Sequence, residues 1–407
     1  MKVLAMVLAG GQGSRLHPLT AERSKPAVPF GGRYRIADFV LSNMVNSEIR
    51  GIYMMVQYKS QSLIEHVAKA WGNSNAYTGQ FVTVVPPQMR GGGTEWFQGT
   101  SDAVFQNINL IERHSPDLVA VFGADHIYRM DVRQMIDFHR GNSAHVSVAA
   151  IPVPLAEASA FGIIDADKRH RIRSFLEKPA NPPAMLTDPT RAYGSMGNYL
   201  FNTDVLLKAL REANDNDEHD FGHHILPRLI KTHQVLAYNF ADNHVPGVAD
   251  YEEQSYWRDV GNIDAYYAAH YDVLGARPRF NLFNPKWFIN SSSYQGPSPM
   301  ITGEISNSTI AAGSRVSGAR IKNSMLRREV IVEEDVEIED SLIMDYTVIR
   351  RGSRLKRVIV DRYNVIEANS RIGFDAAADR ARYTVSDGGI VVLAKGEDIA
   401  GVTRYQI

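Results

Sequence analysis

Between residues 305 and 372 an aliphatic residue recurs every five or six positions, a rhythm that very few architectures can absorb. The positions fall into three columns. Ile305, Ile321, Ile338, Leu355 and Ile372 form the first, at intervals of 16, 17, 17 and 17 residues; Ile310, Leu326, Ile343 and Val360 form the second; Val316, Val332, Ile349 and Ile366 form the third. Neither the ~3.6-residue period of an α-helix nor the ~2-residue period of a strand generates this spacing. Three interleaved columns describe a triangular parallel β-helix of the hexapeptide type. Each coil buries one aliphatic per side, and stacking supplies the core that a single coil lacks. Thirteen consecutive matches make a chance run of β-branched residues untenable.

The first 270 or so residues follow a different pattern, alternating short apolar runs with amphipathic stretches. The runs "VLAMVLA", "IRGIYMMVQY", "LVAVFGAD", "HVSVAAIPV" and "VLAYNF" are continuously apolar. Such runs predict strands buried on both faces, hence an α/β domain with a Rossmann-like, mostly parallel sheet and helices on each side. "RIADFVLSNMV" sets Ile36, Phe39, Val40 and Met44 on one helical face. Near Leu274 the pattern breaks into "GARPRFNLFNPKWFINSSSYQGPSP", rich in Pro, Gly and Ser. The expected organisation is a first domain over 1–274, a linker over 275–300, and the β-helix over 301–407. Its 407 residues suffice for two such domains.

Composition narrows the chemistry. A net charge of −1 gives no electrostatic reason to expect nucleic acid or an anionic membrane as partner. With no cysteine, disulfides, thiolate metal sites and a cysteine nucleophile are excluded. The opening "MKVLAMVLAGG" has the lysine and apolar run of a secretory signal, but its apolar run is short and no small-x-small cleavage site follows. A buried first strand is the better reading. No run approaches the ~18 apolar residues of a membrane span, so a cytoplasmic location is expected.

Directly after the first strand comes "LAGGQGSRLHPLTAERSKPAVPFGGR", from Leu8 to Arg33. Glycines let backbone N–H groups approach an anion, and Arg15 and Lys25 add positive charge. The dinucleotide G-x-G-x-x-G fails because Leu16 stands where its last glycine belongs, and no G-K-[ST] follows to make a P-loop. In open α/β sheets ligands sit outside the carboxyl ends of strands, which puts Gly10 to Arg15, Gln57 and Asp125 on one rim. A carboxylate at Asp125 facing a phosphate nest suits Mg²⁺, as does Asp259 in "YWRDVGNIDAYY", ahead of a helix that Asn262 would cap. "SFLEKPANPP" ends a strand with Glu177 and Lys178, a pairing suited to hydroxyls and a phosphate monoester. "WFQGTSDAV" offers Trp96 and Phe97 as apolar walls, and "EHDFGHHIL" brings His219, His223 and His224 together in sequence. A metal reading of those histidines is weaker than a structural one.

Together the segments "VLAGGQGSRLHPLT", "SKPAVPFGGRYRIADFVLSN", "VQYKSQSL", "WFQGTSDAV", "GADHIY", "SAFGII", "EKPANPP", "SMGNYLF", "HDFGHHILP" and "YWRDVG" resemble the bacterial glucose-1-phosphate adenylyltransferases, in family order and across essentially the whole chain. The resemblance implies a left-handed β-helix and a Mg²⁺-dependent reaction of ATP with α-D-glucose 1-phosphate, giving ADP-glucose and pyrophosphate for glycogen or another α-glucan. Residue by residue it implies that Gly10, Gly11 and Gly13 cradle the nucleotide. Arg15 and Lys25 stabilise the triphosphate, and Asp125 and Asp259 hold the metal. Gln57, Trp96, Gly99 and Thr100 take the ATP side; Phe97, Gly162, Glu177, Lys178, Ser195 and Asp220 take the sugar phosphate. It also implies a homotetramer, activation by glycolytic intermediates, and inhibition by AMP, ADP or phosphate.

Three departures stand out. Phe97 replaces the family's usual tyrosine and loses a hydroxyl contact. The order Gly123-Ala124-Asp125 replaces a glycine next to the aspartate. Glu22 occupies the place of an activator-binding lysine in some relatives, so a fructose-1,6-bisphosphate response does not carry over. Competing readings are a related enzyme using UTP, dTTP or another sugar, a non-catalytic regulatory subunit, and an acyltransferase. The last relies on a histidine base, and every histidine here lies at or before His270, ahead of the β-helix. The basic run "VIRRGSRLKRVIVDR", with Arg350, Arg351, Arg354, Lys356 and Arg357, reads as a solvated face or an anion or subunit contact.

Overall fold

The computed structural model describes residues 1–72, 79–88 and 96–397; residues 398–407, counted above in the second domain, lie outside the described residues. In chain order the strands of the first domain used below are β1 (Val3–Ala9), β2 (Gly51–Val56), β3 (Phe81–Val85), β4 (Leu118–Gly123), β5 (His126–Tyr128), β6 (Val146–Pro154), β7 (Gly162–Ala166), β8 (Ile172–Glu177), β9 (Arg191–Asn202), β10 (Val235–Asn239) and β11 (Trp257–Asp259). The order β3-β2-β1-β4 is parallel throughout. All four strands therefore end on the same rim. Beyond β4 the sheet changes sense: β9 runs antiparallel to β4, β6 and β7, β8 is antiparallel to β7, and β10 is parallel to β6.

The continuous apolar runs sit where burial on both faces requires them. Along β1, Ala5, Val7 and Ala9 enter one core, and Leu4 and Met6 enter the other. The helix Ala37–Asn46 is buried more completely than one apolar face would need, from Ala37 through Met44. β9 escaped the sequence reading because "RAYGSMGNYLFN" carries two glycines and no continuous apolar run.

In the second domain the register links Ile305, Ile321, Ile338, Leu355 and Ile372 in one ladder. Ile310, Leu326, Ile343 and Val360 form another, and Val316, Val332, Ile349 and Ile366 a third. The three sequence columns are thus three stacks of parallel strands. On the second stack Thr309 precedes Ile310, and the other three inward aliphatics each follow an apolar residue pointing out: Met325, Leu342 and Ile359. These outward residues are buried too, packed with Phe30, Ile263 and Tyr266 of the first domain and with Phe280, Trp287 and Ile289 from the connecting stretch. The β-helix is therefore not a free appendage. One of its sides shares a core with the first domain.

Charged groups seal the same junction. Arg23 pairs with Asp361, both fully buried. Arg327 bonds Asp345 at 3.2 Å and donates to the carbonyls of Gly31 (2.9 Å) and Tyr34 (3.2 Å). Burial, with Arg23, Arg362 and Arg327 nearby, pushes Arg35 down to about 9, so cations outnumber anions here. His270 lies against Phe30 and Tyr266, its Nδ1–H donating to the Tyr266 carbonyl at 2.8 Å.

Asp361→Ala strands a buried guanidinium and should lower unfolding free energy by about 3–5 kcal/mol in urea melts. Glu304→Ala, which breaks the exposed pair with Arg320, should shift it by no more than about 1 kcal/mol. Burial also pushes the His270 imidazole from 6.5 down to about 3. Below its ordinary value the unfolded chain takes up a proton that the fold refuses. That increment of stability is therefore complete above 6.5 and is lost progressively as pH falls toward 3. Urea midpoints measured across this range should fall more steeply for wild type than for His270→Gln.

Candidate active site

At the carboxyl rim of β1, β2 and β4 lies an open cavity of about 540 Å³. It is lined by Gly10, Gly11, Arg15, Lys25, Gln57, Phe97, Gly99, Thr100, Asp125, Gly162, Glu177, Lys178, Ser195, Asp220 and Asp259. Residues spread over most of the first domain therefore meet in one place. Gly13 is set back from the lining: it takes a left-handed φ of 64°, and a Cβ there would come within 2.8 Å of Lys25 Cβ. Its glycine thus serves the close approach of the Lys25 segment. Trp96, expected on the ATP side, is 61% exposed and is not among the lining residues.

The charged centre is built by a two-stranded ribbon. β5 and β11 pair antiparallel with His126 opposite Asp259, so the turn after β4 and the start of the helix Ile263–Asp272 arrive together. Asn262 caps that helix, accepting from the Ala265 amide at 2.8 Å. Asp125, His126 and Asp259 each offer a ligand atom within 4.8 Å of the others. Lys25 Nζ lies between the carboxylates, 3.0 Å from Asp125 Oδ2 and 2.8 Å from Asp259 Oδ1. Burial opposes the Lys25 charge, but the two aspartates outweigh it and raise its pKa above the ordinary value. Burial likewise opposes the Asp125 charge, yet His126 and Lys25 hold its carboxyl well below the usual carboxylate range. Two hard oxygen donors at this separation fit one divalent cation whose remaining ligands are phosphates and water. Arg15 stands close by: a Cβ on Gly261 would come within 3.2 Å of its guanidinium and 3.1 Å of Asp259 Oδ2.

At one end, Glu177 occupies a slot between two glycines. A Cβ on Gly162 would reach its Oε2 at 2.9 Å, and one on Gly222 at 3.1 Å. Lys178, in the left-handed region at φ 46°, pairs with Glu177 at 3.1 Å. Ser195 is aimed by a bulge in β9, where the register against β6 shifts between Ser195 and Tyr199 and Gly197 takes φ 69°. Phe175, Tyr199, Gly222 and Trp257 also line the cavity, unforeseen because no local spacing marks a single aromatic or glycine as facing a site. Burial raises the Tyr199 phenol, which stays protonated beside Ser195.

The other end differs in detail from expectation. The Gln57 side chain brackets the Phe97 backbone, donating to its carbonyl at 3.2 Å and accepting from its N–H at 2.5 Å. It holds the 96–99 segment against the rim. Asp220 accepts from Thr100 Oγ1 at 2.9 Å and from the Gly222 amide at 2.8 Å, so it also ties the two ends together. His219, His223 and His224 form no metal-holding group among the described residues: His219 pairs with Asp217, and His224 Nδ1 accepts the Asp220 amide.

A parallel sheet presenting a glycine turn, a buried lysine and paired aspartates at its carboxyl rim defines a nucleotidyltransferase. The Nucleotidyl transferase family matches residues 4–275, and a GlmU-like, C-terminal hexapeptide family matches 296–393. Curated relatives named glucose-1-phosphate adenylyltransferase come from Thermodesulfovibrio yellowstonii (57% identical, covering 97% of this chain and 96% of the relative), Anaeromyxobacter sp. (46%, 97% and 98%) and Mycolicibacterium smegmatis (45%, 97% and 98%). The chain belongs to the glucose-1-phosphate adenylyltransferase family.

The stitch between the cavity's ends can be tested through Gly99. A Cβ there would meet the His219 carbonyl oxygen at 2.2 Å, and the Ser101 amide bonds that same carbonyl at 3.0 Å. Gly99→Ala should cost about 1–3 kcal/mol and speed hydrogen exchange at the Ser101 amide. Gly11→Ala, with nothing within 4 Å of the new methyl, should leave stability within about 0.5 kcal/mol in the same melts.

Proposed function

We propose that the chain transfers the adenylyl group of ATP to α-D-glucose 1-phosphate, giving ADP-glucose and pyrophosphate, the reaction for which its relatives are named. The observation that carries this reading is the single cavity joining the Lys25–Asp125–Asp259 centre to Glu177 and Lys178. The sugar phosphate oxygen attacks the α-phosphorus in line with the departing pyrophosphate, so the protein's task is positioning and charge neutralisation. Asp125 and Asp259 would hold Mg²⁺, which supplies charge neutralisation between two anions that must approach.

Lys25 and Arg15 face the triphosphate and stabilise charge gathering on the leaving pyrophosphate. Gly10 and Gly11 leave the backbone beside β1 open to phosphate oxygens. Leu8, Met55 and Ala103 give the base an apolar wall, and Phe97, expected on the sugar-phosphate side, is read with them because Gln57 of the ATP side holds its backbone. Glu177 accepts sugar hydroxyls, Lys178 meets the phosphate monoester, and Ser195 closes that end. The retained charged residues favour an active subunit over a purely regulatory one.

The same reading assigns 301–407 to assembly and regulation. Among the described residues no strand stacks beyond the first coil of the β-helix, and Met300 there is 71% exposed, which supports the homotetramer expected of the family. The cation surplus around Arg35 at the domain junction supports an anionic effector. The basic run beyond Arg350 does not: Arg350, Arg354 and Lys356 each pair with a glutamate of the preceding coil. Among the described residues, no helix is long and apolar enough to cross a membrane.

Initial rates with ATP, UTP and dTTP against glucose 1-phosphate test the assignment directly: ATP should be preferred, and equal turnover with UTP or dTTP overturns it. Lys178→Ala should raise the KM for glucose 1-phosphate about 10- to 100-fold with little change for ATP, because a charge-assisted hydrogen bond worth about 1.5–3 kcal/mol is lost. A change confined to the ATP constant would place Lys178 elsewhere.

A further inference from the structure

His126 enters the account above only through its effect on the Asp125 carboxyl, yet it stands at the centre of the site. The β5–β11 register sets it opposite Asp259, on the same side of the ribbon. Its ring lies 4.7 Å from Trp257, itself packed on Phe161, and its side chain is only 13% exposed, so it has little freedom to turn away. Nε2 faces Asp125 Oδ1 at 3.5 Å, while Lys25 holds the other carboxylate oxygen. Nδ1 is buried with no hydrogen-bond partner among the described residues.

That orphaned nitrogen decides how the ring is used. Histidines that ligate metals through one nitrogen normally donate the other N–H to an acceptor, and Nδ1 has none. Nε2, by contrast, faces a carboxylate oxygen, which can only accept, so that nitrogen is placed to carry a proton toward Asp125. Such a nitrogen offers a hydrogen bond and no lone pair for a cation. At 3.5 Å that contact is longer than a made N–H···O bond, while Lys25 holds the other carboxylate oxygen at 3.0 Å.

We propose that His126 is a positioning residue for the divalent cation: Nε2–H fixes Asp125 Oδ1, leaving Oδ2 to face Asp259 once Lys25 moves to the substrate phosphates. The proposal rests on the reading of Asp125 and Asp259 as the metal-holding pair.

The test uses Mn²⁺ as probe, on the full chain with a non-hydrolysable ATP analogue, reading free Mn²⁺ by electron paramagnetic resonance. His126→Phe keeps the ring stack on Trp257 but removes the donor, and should weaken Mn²⁺ about 10- to 100-fold. His126→Gln, whose amide can occupy the Nε2 position, should recover most of that loss. Bound Mn²⁺ in wild type should show no imidazole ¹⁴N modulation in spin-echo spectra, a measurement that needs no variant to fold. Unchanged affinity in His126→Phe overturns the proposal, and so does ¹⁴N modulation in wild type, which would make His126 a ligand. If Asp125→Asn still binds Mn²⁺ as wild type does, the metal-pair reading fails first, and this proposal with it.

Discussion

The interaction on which the site depends is the bridge from Lys25 Nζ to Asp125 and Asp259, residues 100 and 234 positions further along the chain. Three like-sized charges cannot be gathered in a half-buried cleft unless the backbone supplies the geometry. Here the β5–β11 ribbon supplies it, a pairing of three residues on each strand that lies outside the main sheet. With the lysine between them, the two carboxylates do not repel one another into solvent. The lysine offsets one of the two carboxylate charges and holds both side chains in place within the cleft.

Around that centre the structure uses glycine sparingly and for identifiable reasons. Gly13 and Gly162 stand where any side chain would collide with Lys25 or with Phe175 and Glu177. Gly99 allows the helix at Thr100 to lie against the His219 carbonyl, and Asp220 completes that contact. The cavity therefore has walls tied to one another. The β-helix joins the same framework from behind, since the helix Ile263–Asp272 that follows Asp259 shares a core with Leu342 and Ile359.

Much of this was legible in the sequence, for physical reasons. A β-helix writes its core as a strict repeat, so every column position survives as a ladder in the structure. Strands buried on both faces write continuous apolar runs, which is why β1, β2, β4, β6 and β10 were readable. Elements placed by long-range packing leave no such trace. The antiparallel flank, the outward apolar column of Met325, Leu342 and Ile359, and the buried ion pairs of the junction all depend on what lies opposite. Local spacing does not record that. Gln57 and Asp220 were readable as site residues, but their hydrogen bonds to Phe97 and Thr100 depend on loops meeting across the cleft. His126 was passed over because a histidine after an aspartate is unremarkable until Asp259 stands opposite it.

On the proposed reading, Asp125 and Asp259 serve one cation. A double-mutant cycle of Mn²⁺ binding measured by calorimetry tests it most directly. If the two share a single site, Asp125→Asn and Asp259→Asn should each remove that binding event, and combining them should remove nothing more. Independent, additive losses, or one residual Mn²⁺ retained by either single variant at wild-type affinity, would contradict it.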